Sequence, residues 1–169
     1  MGENLFMQNK PEEAVVYLEK AVAGDPAHVK AFLYLGMVYE QMNDADKAIE
    51  VYQQVLDRAE DLSANVANNL GNAYYKKDDI AEAERLYTQA IDADQMYVSA
   101  YLGRANARLK MGLLQDAVAD YEQYLLLEPY ASQQPAIANL IAYIKAESAG
   151  EEQQNLTEEV SAFEAESYE

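Results

Sequence analysis

The sequence predicts an all-α fold, a stack of helical hairpins, and three observations carry that prediction. Ala14, Ala48, Ala83 and Ala117 recur at spacings of 34, 35 and 34 residues. Around each alanine, apolar residues return at spacings of three, four and seven, which places them on one stripe of a helix. Short pairs, Asn9-Lys10, Asn43-Asp44, Asp78-Asp79 and Gly112-Leu113, separate the helical stretches. A period of this length means that each unit buries its apolar face only against its neighbours.

A partial unit is expected at 2–28. Its first helix is about half length, and its second opens on Pro11, which suits a first helical turn, before Ala14, Leu18, Ala21 and Val22. The unit at 29–62 is whole. It carries Phe32, Leu35, Gly36 and Tyr39 on one helix, then Ala48, Tyr52, Val55 and Leu56 on the next. The unit at 64–97 repeats it with Ala67, Leu70, Gly71 and Tyr74, then Ala83, Tyr87, Ala90 and Ile91. The last, at 98–131, brings Ala117, Tyr121, Tyr124 and Leu125, and Ser63 is the single residue outside the scheme. Asn and Asp in the turns are suited to cap the helices that follow, while Pro26 and Pro129 close two of the units. Residues 132–147 predict a capping helix opened by Pro135, with Ile137, Leu140, Ile141 and Ile144 on one stripe. From Glu147 onward there are eight acidic residues and no basic one. Residues 148–169 therefore read as an acidic tail. Its alternative is a short amphipathic helix, since Leu156, Val160 and Phe163 keep helical spacing and Asn155 with Glu158 forms a capping-box pattern.

This pattern resembles the tetratricopeptide repeat (TPR) family, through segments such as LGMVYEQMNDADKAIEVYQQVL and LGNAYYKKDDIAEAERLYTQAI. The resemblance covers about three quarters of the chain and implies a right-handed α-α superhelix. Departures stand out against it. The early aromatic is Phe32 in one unit but Ala67 in the next, and Glu60 and Gln95 replace the closing proline. Arg104 and Arg108 stand in the last unit where Leu and Tyr stand in the earlier ones. A common subclass of the family has this feature, and it implies an Arg–Asp pair with Asp120 inside the repeat, or else a ligand role for either arginine.

The resemblance further implies a groove lined by the first helix of each unit. Carried onto this chain, its positions hold Lys30, Leu33, Met37, Glu40 and Gln41; then Asn65, Asn68, Asn72, Tyr75 and Lys76; then Ser99, Leu102, Asn106, Leu109 and Lys110. Three lysines against one glutamate make that surface mildly basic. Asn65, Asn68, Asn69 and Asn72 crowd one helix, although asparagine is a mediocre helix former. A side-chain amide both donates and accepts, so such a row suits the backbone of an extended peptide, whatever its sequence. The places that clamp a terminal carboxylate in chaperone-binding members hold Leu33, Met37, Asn69, Ser99 and Gly103. Only Asn69 fits, so that specific role is not expected.

Composition narrows the function. Half of the 169 residues are apolar, enough for one continuous core, and no apolar run nears the roughly 20 residues of a membrane helix. The formal net charge of −18 disfavours nucleic acid, whose phosphates need a basic face. Cysteine is absent, and His28, the one histidine, falls at a turn. No Gly-rich phosphate loop, His-Glu-x-x-His pattern or Ser-His-Asp set is present. The expectation is a non-enzyme without cofactor or metal, an adaptor that holds a peptide or helix of a partner protein in its groove. The alternative is a self-assembling scaffold, stacking through the N-terminal half-repeat or laying its tail near Lys30, Lys76 and Lys110. The compartment, cytoplasmic or periplasmic, stays open, and a targeting segment upstream of the short first helix is compatible with the sequence.

Overall fold

Four short turns, three of them polar, bend the chain into the hairpins that the repeat predicts. The computed structural model describes the backbone of residues 1–166 and the side chains of residues 1–150. Its α-helices are α1 (Gly2–Met7), α2 (Pro11–Gly24), α3 (Val29–Gln41), α4 (Ala45–Gln53), α5 (Ser63–Lys76), α6 (Ile80–Ala93), α7 (Val98–Lys110), α8 (Leu114–Leu127) and α9 (Gln134–Glu166), with no strand among the described residues. Residues Met1–Leu127 form one unit, a solenoid of four hairpins; α9 belongs to a second unit that starts at Glu128. Within the solenoid α1 packs on α2, α3 on α4, α5 on α6 and α7 on α8, and each hairpin packs on the next. The odd-numbered helices also touch in sequence, α1 to α3, α3 to α5 and α5 to α7, and so make one continuous row.

The turns show a division of labour between adjacent residues. Asn9, Asn43, Asp78 and Gly112 adopt φ of 58°, 60°, 64° and 76°, a left-handed conformation that Gly and Asn tolerate best. The next residue then donates its backbone N–H back to the helix just ended: Asp44 to Tyr39 at 2.8 Å, Asp79 to Tyr74 at 3.0 Å and Leu113 to Arg108 at 2.9 Å, as a helix-closing motif of this type requires. Asp44 and Asp79 also cap the following helix, accepting from the backbone N–H of Lys47 and Glu82 at 3.2 and 3.3 Å. Asp79→Ala is expected to lower the stability of the chain by about 1 kcal/mol. Chemical denaturation checks this, and an unchanged midpoint would overturn it.

The four alanines that mark the repeat are all 0% exposed. Behind them Tyr52 and Tyr87 each fit against a glycine of the facing helix. A Cβ on Gly36 would stand 2.2 Å from the Tyr52 ring, and one on Gly71 would stand 2.9 Å from the Tyr87 ring. The repeat keeps small residues there because helices can approach so closely only where one side lacks bulk.

Two boundaries differ from expectation. The helix that carries Ala48 ends at Gln53 and is followed by two short 3-10 turns, Leu56–Arg58 and Glu60–Leu62. Glu60 there takes a φ of +44°, and buried Val55 and Ala59 anchor the segment. These turns absorb the extra residue, so Ser63 opens α5 instead of standing outside the scheme. Likewise α9 runs unbroken through Asn155, so no new helix starts there and no backbone break separates 147 from 148. One glycine, Gly150, costs a helix only about 1 kcal/mol, and no proline follows it. The side chains of Leu156, Val160 and Phe163 lie outside the described residues.

Candidate functional site

The row formed by α3, α5 and α7 carries two hollows. The first, about 270 Å³, lies between α5 and α7. It brings together six residues expected in the groove, Asn68, Asn72, Tyr75, Ser99, Leu102 and Asn106, and adds Gly103 and Tyr87. A repeated device fixes two of its amides. The Tyr87 hydroxyl donates to Asn72 Oδ1 at 2.8 Å, and the Tyr121 hydroxyl donates to Asn106 Oδ1 at 2.7 Å. Burial pushes both phenols above their ordinary range, so they stay protonated donors. With its oxygen occupied, each amide is oriented, and its Nδ2 has no partner among the described residues and remains available as a donor. In the second unit Met37 stands at the equivalent place, and the buried Tyr52 hydroxyl receives no such acceptor from its own repeat.

Asn68 sits deeper, 4% exposed. Its Nδ2 donates to Asn69 Oδ1 at 3.2 Å, while its own Oδ1 is buried without a partner among the described residues. Asn65 lies outside the hollow, where its Nδ2 donates to the Tyr97 hydroxyl at 3.1 Å and ties α5 to the start of the next hairpin. The asparagine row therefore divides by role: Asn65 is a tether, Asn69 an acceptor for Asn68, and Asn68 and Asn72 face the hollow.

The second hollow, about 350 Å³, is lined by Phe6, Met37, Glu40, Gln41, Asn69 and Lys76. Glu40 is its unusual member. The carboxylate side chain is 16% exposed, Lys76 reaches only Oε2, at 3.9 Å, and Oε1 is buried with no hydrogen-bond partner among the described residues. Burial pushes the carboxyl above the ordinary carboxylate range, and Lys76 offsets this only in part. Folding raises this pKa, so the folded state holds the proton more tightly than the unfolded chain. Stability then falls as pH rises through the Glu range, and the ionised carboxylate counts against the fold at neutral pH.

Other expected positions have different fates. Leu33 is 8% exposed and belongs to the core, against which Leu5 and Phe6 of α1 also pack, so it is not a groove contact. Leu109 is half-buried and lines neither hollow. The mildly basic groove is not observed either, because each lysine is matched by an acid from an earlier segment. Lys30 pairs with Glu3 at 3.3 Å, Lys76 with Glu40, and Lys110 with Asp78 at 2.6 Å. Lys110 also lies 5.1 Å over the Tyr75 ring.

Arg104 and Arg108 make an internal network. Arg104 donates to both oxygens of Asp120, at 2.9 and 2.7 Å, and to Thr88 at 3.2 Å. Arg108 donates to Asp120 at 2.8 Å and to Glu84 at 3.0 Å. Asp120 is 3% exposed, so the network clasps α6, α7 and α8 together. Among the described residues no three His, Asp or Glu side chains gather to hold a metal ion. No described helix is long and apolar enough to cross a membrane.

A row of packed helices that closes on its neighbours and opens polar side chains on one face defines a helical-repeat solenoid. Two family models, both described as tetratricopeptide repeat, match residues 28–96 and 68–135. The chain belongs to the tetratricopeptide repeat family, a fold of protein-interaction repeats. Human RNA polymerase II-associated protein 3 is 39% identical over 127 residues, 75% of this chain and 18% of that protein. Human tetratricopeptide repeat protein 16 is 27% identical over 136 residues, 74% of this chain and 16% of that protein. The chain thus spans less than a fifth of the length of these two relatives. Among solved structures, MamA shares the fold with a TM-score of 0.71 at 20% identity, covering 93% of this chain and 97% of MamA. The first TPR of Spaghetti (RPAP3), bound to the HSP90 peptide SRMEEVD, has a TM-score of 0.64 at 27% identity and covers 72% of this chain and 93% of its own.

Proposed function

We propose that this chain is a non-catalytic interaction module whose groove holds an extended segment of a partner protein. The observation that carries the reading is the pair of tyrosine-oriented amides, Asn72 and Asn106, lining one hollow with Tyr75 and Leu102. Oriented Nδ2 groups donate to carbonyls of a strand-like peptide, and the ring and the leucine supply shallow apolar area. Peptide-bound TPR domains among its structural neighbours support the same class of occupant.

The test is a random-peptide display selection on the full chain, followed by calorimetry of the winners. Asn72→Ala with Asn106→Ala is expected to weaken the selected peptides about tenfold or more, the equivalent of one or two hydrogen bonds. Tyr87→Phe with Tyr121→Phe removes the same internal bonds without deleting the groove amides. It is the control for stability, and its effect on binding is expected to be smaller. Equal losses in the two double variants would sink the role of the amides as direct contacts.

Self-assembly is a second reading, favoured by Met7, Val16 and Tyr17, which leave apolar surface exposed on the first hairpin. Light scattering across a wide concentration range distinguishes it, because a monomer throughout leaves no place for it.

A further inference from the structure

The hollow beside Glu40 is a second site in the same groove, and its chemistry differs from that of the asparagine hollow. Its walls, Phe6 and Met37, are apolar. Its polar end is a carboxylate with one buried oxygen that has no partner among the described residues, and among them the other oxygen meets a single lysine at the limit of an ion pair. A buried carboxylate normally satisfies both oxygens. Nothing on α3 requires an acid here, since the equivalent places in the next two units are Tyr75 and Leu109. Asn69, whose Oδ1 already accepts from Asn68, lines the same hollow and adds acceptor capacity. Lys76 is half exposed and reaches Glu40 from the exposed side, so it can swing away without opening the core.

We infer that this hollow receives a lysine or arginine side chain of the bound segment, with its methylenes against Phe6 and Met37 and its cationic head on the Glu40 carboxylate. A long basic side chain fits such a site because its stem is apolar and its head carries several donors. A carboxylate-rich occupant does not fit, because it would bring like charge to a group that already lacks compensation. Of the SRMEEVD peptide held by the Spaghetti domain, only the arginine has the chemistry that this end of the groove takes. The inference rests on the groove reading above and assigns the chemistry of its occupant.

The experiment continues the display selection at physiological ionic strength, where diffuse attraction to the acidic surface is screened. A basic residue is expected at one fixed position of the selected peptides, rather than scattered along them. Replacing it by citrulline or acetyl-lysine in a synthetic peptide is expected to weaken binding to the full chain about tenfold or more. The same replacement is expected to cost little on Glu40→Gln. Because Gln removes a charge that burial disfavours, that variant should melt at or above the temperature of the parent chain, so lost binding cannot be put down to lost folding. The peptide replacement on the parent chain needs no protein variant at all. Peptides that depend on Asn72 and Asn106 but lack a fixed basic position, or a citrulline effect unchanged in Glu40→Gln, would overturn this inference alone. A selection that yields no binder would overturn the groove reading and this inference with it.

Discussion

Replacing Asp120 by alanine is expected to destabilise the solenoid by about 3–5 kcal/mol, the largest effect of any single substitution considered for this chain. Asp120 is the shared acceptor for two guanidinium groups that are themselves only 14% and 20% exposed. Without it Arg104 keeps Thr88, a neutral partner, and Arg108 keeps Glu84, so one buried cation is left uncompensated. In a repeat stack each unit contacts only its neighbours, so the damage should stay local. Hydrogen exchange is expected to quicken in α7, α8 and the facing part of α6 and to remain slow in α3 and α4. The network is not needed for stability as such. The preceding unit fills the same three places with Leu70 and Leu86, both buried in the core, and Tyr74, half-buried against it. Moving that trio into the last unit, as Arg104→Leu, Arg108→Tyr and Asp120→Leu together, is expected to cost far less than Asp120→Ala, since a well-packed apolar set often replaces a buried ion network without loss. A triple variant as unstable as the single one would show that the arginines do more than clasp three helices.

That pair was legible through the resemblance to a common subclass of the family, which implies it within one repeat; the aspartate lies sixteen and twelve residues beyond the two arginines. The hairpins were legible because a stripe of spacing three, four and seven needs only local information. What was not legible crosses from one repeat to the next. The groove lysines read as a basic surface because their partners lie in other segments. Asp78, at a left-handed turn, meets Lys110 from 32 residues away, and no pattern within one helix announces that contact. Leu33 read as a groove residue by register, yet it is buried in the core beside residues of α1. One signal was present and went unused. Asn72 with Tyr87 and Asn106 with Tyr121 share a spacing of fifteen, and a polar residue repeatedly offset from a core tyrosine predicts a hydroxyl bond. The unbroken course of α9 was missed because the shift to an all-acidic composition from Glu147 reads as a solvated tail, although no helix-breaking proline follows.

Gly103→Ala is expected to cost about 2–3 kcal/mol and, in addition, to weaken groove binding. The two effects have one cause. A Cβ at this position would lie 2.5 Å from Tyr87 Cε1 and 2.7 Å from Cζ, and one on Gly71 would stand 2.9 Å from the same Cε1, so the ring is closely approached by α5 as well as α7. Tyr87 is 2% exposed and its hydroxyl holds Asn72. A ring displaced by the methyl group therefore takes the amide orientation with it, and the methyl itself enters a hollow that Gly103 lines. Gly24→Ala is the control, with nothing within 4 Å of the new methyl, and it should be neutral or gain about half a kcal/mol from helix propensity. A double-mutant cycle separates packing from backbone effects: in a Tyr87→Leu background the Gly103→Ala penalty should fall by more than half, because the atoms that collide are gone. A penalty that persists there would place the requirement for glycine in the path of α7 itself. A penalty that disappears while peptide binding stays weak would mean that Tyr87 serves the groove as much as the core.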